Sequence, residues 1–119
     1  MKLQKEFLLG ESMLNEAVDE RIQTIYQQLG GNKFKVMTGA KDLTYDVSGD
    51  PTLMFKLPSN FAKDGINYIK ITLTAMDLYN IEFYSIKGNN KHLVKEVNGI
   101  YNDQLQEIFK RYTGLNTHL

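Results

Sequence analysis

The chain contains no cysteine, which removes disulfides, thiol nucleophiles and thiolate-held metals and suits a reducing cytoplasm. It also has no net charge. Fourteen Lys and Arg balance fourteen Asp and Glu, so no overall field draws it onto nucleic acid or an anionic membrane. Histidine is scarce: His92 and His118 do not give the clustered spacing of an imidazole metal site, and neither a metal nor a cofactor is expected. No serine lies on a G-x-S-x-G elbow, so nucleophilic catalysis is not expected either. Every apolar run is cut by Lys, Asp or Asn well short of the roughly 20 residues that span a bilayer. The run at Phe7, Leu8 and Leu9 is shorter than the roughly 7–15 residues of a secretory core. The expectation is a cytoplasmic protein without a membrane partner.

At 119 residues and 42% hydrophobic content, the chain can bury about two thirds of its unfolded surface in a single core. Residues 1–11 read as an N-terminal arm, and 12–119 as one domain. From Ser12, apolar residues fall at Leu14, Val18, Ile22, Ile25 and Leu29, one stripe of a helix. Ser12 can cap its start and Gly30-Gly31 can stop it.

After Gly31 the period shortens to two. Strands are expected around Phe34 and Val36, around Leu43, Tyr45 and Val47, and around Leu53, Phe55 and Leu57. Setting Phe34 opposite Val47 and Val36 opposite Tyr45 leaves Gly39 to Asp42 as a hairpin loop. Setting Val47 opposite Leu53 and Tyr45 opposite Phe55 leaves Ser48 to Thr52 as the next loop, with Pro58 ending the third strand. In `NYIKITLTAMDLYNIEFYSIKG`, Leu73 pairs with Ile81 and Ile71 with Phe83 around a turn centred on Asp77. A one-residue slip would expose the whole aliphatic set. Gly88-Asn89 fits a type II′ turn into a strand from Lys91 to Val97, with Tyr84 opposite Leu93 and Glu82 opposite Lys95. A second helix starts with Asn102 as cap, carries Leu105, Ile108, Phe109 and Tyr112 on one side, and closes at Gly114. The fold class is therefore α+β: an antiparallel meander of five or six strands flanked by an N-terminal and a C-terminal helix.

Two places attract functional attention. The loop Thr38-Gly39-Ala40-Lys41 superficially resembles a phosphate cradle, yet a Walker loop needs G-x-x-x-x-G-K-[ST] leading into a helix, and here a strand follows. It reads as a bend whose Thr38 and Lys41 are available to a partner. Asp42, Asp46, Asp50, Asp64 and Asp77 fall in turns and read as turn formers rather than acid–base pairs. The second place is the polar sheet face, where Tyr68, Lys70, Tyr84 and Lys95 gather beside Glu82 and Ile86. Aromatic rings with alternating charges fit a protein contact, with a second copy of the chain as one candidate. The alternative is a platform that stacks the bases of single-stranded nucleic acid.

The ordered segments `GGNKFKVMTGAK`, `LMFKLP`, `NYIKITLTAMDLYNIEFYSI` and `GIYNDQLQEIFKRYTGLNTHL` together resemble a group of small proteins encoded by bacteriophages and bacterial mobile elements. The likeness covers roughly Ile25 to Leu119. That group has no assigned activity or catalytic residues to carry over. The resemblance implies a bacterial host cell and action by binding, for example as an inhibitor of host defence such as an anti-CRISPR protein. The combined expectation is a non-enzymatic interaction protein.

Overall fold

A computed structural model describes residues 4–6 and 19–117 of the chain. Within them a six-stranded antiparallel sheet runs in sequence order, with the helices packed on one face. Its elements are β1 (Gln4–Glu6), α1 (Glu20–Leu29), α2 (Asn32–Thr38), β2 (Lys41–Asp46), β3 (Thr52–Lys56), β4 (Tyr68–Leu73), β5 (Tyr79–Lys87), β6 (Asn90–Ile100) and α3 (Leu105–Thr113). The expected α+β meander is this fold. No helix among the described residues is long and apolar enough to cross a membrane.

The expected helix start at Ser12, and Phe7 to Leu9 of the arm, lie outside the described residues. Within them α1 begins at Asp19, whose Oδ1 accepts the Arg21 backbone N–H at 2.8 Å. Ile22, Ile25, Tyr26 and Leu29 form its buried face. It stops where expected, with Gly30 at φ 123°, a conformation that glycine adopts without steric cost.

The segment Lys33 to Thr38 is a helix, not the expected strand. Both edges of β2 are already taken, by β1 and β3, so the expected pairing of this segment with β2 has no free edge. Phe34 is instead buried in the helical layer, ringed edge-on by Tyr26, Phe55 and Phe109 at centroid distances of 6.3, 5.1 and 5.8 Å. Val36, expected on the same inward face, is 82% exposed, because two residues along a helix turn a side chain through roughly 200°.

Two strand registers differ from expectation by two residues. Tyr45 pairs with Leu53 rather than Phe55, and Ile71 pairs with Ile81 rather than Phe83. Shifts of two leave each side chain on its expected face. Local side-chain bonds set the loops. Asp46 Oδ1 accepts from the Ser48 N–H at 2.9 Å and its hydroxyl at 2.7 Å, so the turn begins one residue early. Thr74 and Leu78 close the next loop through a 2.8 Å backbone bond, with Asp77 at φ 61°. At the C-terminal end, the cap is Tyr101 rather than Asn102. A 3-10 turn over Asn102–Gln104 starts one residue earlier, and Gln104 Oε1 accepts from the Tyr101 N–H at 3.2 Å. Gly114, at φ 78°, closes α3 as expected.

Leu53, Phe55, Ile69, Ile71, Ile81 and Phe83 of the sheet meet Ile22, Ile25, Leu29, Leu105 and Phe109 of the helices, all essentially inaccessible to solvent. The alternate residues of β2–β6 point to the face that α1–α3 leave open.

Candidate interaction face

Cross-strand register sets the open face out in rows. One row reads Lys41, Lys56, Tyr68, Tyr84 and Leu93 from β2 to β6. The neighbouring row reads Thr44, Met54, Lys70, Glu82 and Glu96. Because directly opposed residues have Cβ atoms roughly 5 Å apart, the two tyrosines meet, with ring centroids 6.0 Å apart and planes inclined at 55°. The Lys91 ammonium lies over both rings, 4.4 Å from the Tyr84 centroid and 5.3 Å from that of Tyr68. The Tyr84 hydroxyl donates to Glu82 Oε1 at 2.6 Å. Burial and this negative surrounding, Glu82 first and then Glu96, push the Tyr84 phenol up to about 12. Burial also raises that of Tyr68.

Tyr68, Lys70 and Tyr84 are therefore brought together on one surface, as expected, and Lys41 ends the tyrosine row two strands away. Lys95 is not with them. The ladder shifts register between Phe83 and Tyr84, so Lys95 lies opposite Phe83 rather than Glu82. This bulge turns it to the helix side, where its ammonium sits 5.4 Å from the centroid of the Tyr112 ring. Thr38 is also unavailable to a partner. It is fully buried, donating to the Phe34 carbonyl at 2.7 Å and accepting from the Ala40 N–H. The loop it was assigned to is the left-handed end of α2, with Gly39 at φ 73°.

Sequence reading missed two residues of the face, Lys91 and Glu96. The Gly88-Asn89 turn signal was enough to place Lys91 opposite Ile86, but no residue pattern announced the bulge that brings Glu96 opposite Glu82. No cation stands within 4.0 Å of either carboxylate among the described residues. Lys70, although opposite Glu82 in register, makes no such pair. Leu93, 43% exposed, and the half-buried Ile86 add apolar surface around the rings. Towards β3 the face closes, with Met54 5% and Thr52 7% exposed and the Thr52 and Thr72 hydroxyls bonded at 3.1 Å.

Among the described residues, no three or more His, Asp or Glu side chains lie close enough to hold a metal ion. A hollow of about 220 Å³ between the start of α1 and the hairpin loops is lined by Arg21, Asp50, Leu73, Thr74 and Asp77. Among the described residues the base lining it is Arg21, already engaged with Asp19 through Nε at 3.0 Å and Nη2 at 2.8 Å. No protein-family model, no curated protein and no solved structure matches the chain.

Proposed function

We propose that this chain is a non-enzymatic interaction protein that binds a protein partner through the face centred on Tyr68 and Tyr84. One observation carries the reading: two tyrosine rings in contact, bordered by Leu93, Ile86 and charges of both signs, on the sheet face opposite α1–α3. Aromatic anchors inside a polar rim are the composition of protein interfaces. In the phage or mobile-element setting implied by the sequence resemblance, the partner is a host protein, and an inhibitor of host defence such as an anti-CRISPR is the form this would take.

The test is a pull-down of the tagged chain from its host, with and without nuclease. The expected result is a protein that stays bound after nuclease and is lost on Tyr68→Ala/Tyr84→Ala with the fold intact. Retention of every partner by that variant would remove this face from the proposal. A second reading rests on Lys41, Lys56 and Lys70 beside Tyr68: a single strand stacked on the rings with its phosphates on these lysines. Capture that disappears with nuclease and weakens steeply with salt would favour it. The opposed Glu82 and Glu96 interrupt a continuous phosphate track and favour the protein partner.

A further inference from the structure

The open face holds an arrangement that sheet stability does not explain. Glu82 and Glu96 lie directly opposite each other on β5 and β6, and like charges in that position destabilise a sheet. No ion pair within 4.0 Å offsets them among the described residues. Beside them, the rings of Tyr84 and Tyr68 hold a cation, the chain's own Lys91 ammonium, at 4.4 and 5.3 Å. Tyr84 joins the two features, since its ring lies under the ammonium and its hydroxyl is bonded to Glu82 at 2.6 Å. The Tyr84 phenol also feels both carboxylates.

We propose that the Tyr68–Tyr84 pair and the Glu82–Glu96 pair form a receptor for an arginine side chain of the protein partner, with Lys91 as the occupant that arginine displaces. This deepens the interaction reading above and rests on it. Guanidinium fits both halves of the site: it is planar and weakly hydrated, stacks on aromatic faces, and presents a fork of N–H donors to carboxylates. Lys91 fills only the aromatic half, as a point charge. Exchange costs little, because a cation–π contact at an exposed site is weak.

The probe is N-acetyl-arginine amide, titrated into the full-length chain while the ring signals of Tyr68 and Tyr84 are followed by NMR. N-acetyl-glutamine amide and inorganic phosphate at matched ionic strength serve as comparisons. The arginine probe should shift both rings to saturation, and the glutamine probe should not. Lys91→Ala should bind the arginine probe about two- to fivefold more tightly, and Glu82→Gln/Glu96→Gln at least about tenfold more weakly. The circular dichroism spectrum of each variant checks that it remains folded. Unchanged affinity in the Glu82→Gln/Glu96→Gln or Lys91→Ala chain overturns the proposal, as does phosphate moving the rings in place of arginine. The pull-down separates this idea from the broader one. A partner lost on Tyr68→Ala/Tyr84→Ala but kept on Glu82→Gln/Glu96→Gln leaves the interaction face standing and removes the arginine.

Discussion

The segment 33–38 gives a direct test of the architecture, because its strand and helix readings assign opposite fates to two neighbouring side chains. In the helix, Phe34 is fully buried and touches three rings edge-on, the nearest at 5.1 Å, whereas Val36 is 82% exposed. Phe34→Ala removes a core aromatic, costing about 3–5 kcal/mol, and the lost edge-to-face contacts place it near the upper end. Val36→Ala removes almost no buried surface and replaces a β-branched residue with the best helix former. Its effect should stay within about 0.5 kcal/mol, with stabilisation the favoured sign. Had the segment been a strand with Val36 inward, the same change would cost roughly 2 kcal/mol. Urea unfolding followed by circular dichroism separates the cases. With a slope of about 2 kcal/mol per molar, Phe34→Ala lowers the midpoint by about 2 M and Val36→Ala leaves it nearly in place. A Val36→Ala midpoint falling by about 1 M would refute the helical assignment.

Two further perturbations probe the sheet. Asn67 acts as an extra rung of β5, its amide donating to the Ile86 carbonyl and accepting from the Ile86 N–H, both at 2.8 Å. Asn67→Ala strands two part-buried backbone groups and should cost about 2–3 kcal/mol, with faster hydrogen exchange at the Ile86 amide as its local signature. In alkali, burial raises the phenols of Tyr79 and Tyr84 to about 12, above the ordinary value near 10. The unfolded chain therefore loses these protons first. The contribution to stability is fully present below about pH 10 and declines as pH rises through about 12, by roughly 2 kcal/mol for the inaccessible Tyr79. A denaturation midpoint that stays flat from pH 9 to pH 12 would contradict this.

The sheet faces were legible in the sequence because alternation reports which side chains share a side. In `YIKITL` and `YNIEFYSIK` Ile69, Ile71, Ile81 and Phe83 are buried as expected, and Leu73 packs half-buried against the same core. Alternation is blind to shifts of two, however, and those were settled by atoms it does not weigh: the Asp46 carboxylate bonding Ser48, and the loop closed by Thr74. The helix at Asn32–Thr38 was misread because seven residues are too few to separate the two periods. Phe34 and Thr38 lie on one side whether the step is two or four. Its flanking glycines, Gly31 at φ 63° and Gly39 at φ 73°, were the signal that favoured a short helix. At the candidate face, Tyr68, Lys70 and Tyr84 followed from alternation alone, whereas Lys95 and Glu96 exchanged sides at a bulge.

That exchange bears on how the face acquired its character. A regular ladder continuing from Tyr84 opposite Leu93 would place Lys95 opposite Glu82, a favourable cross-strand pair. Instead the extra residue carries Lys95 over to Tyr112 and sets Glu96 against Glu82. On the helix side of the same sheet the packing shows no such tension: rings meet edge to face, and no buried side-chain polar atom lacks a partner among the described residues. The unfavourable charge placement is thus local, produced by one inserted residue, and lies beside the two rings that already hold a cation. A sheet selected for stability alone would keep the Glu–Lys pair. Under the arginine-receptor proposal, the bulge re-aims Lys95 and leaves two adjacent carboxylates for a positive group supplied by the partner.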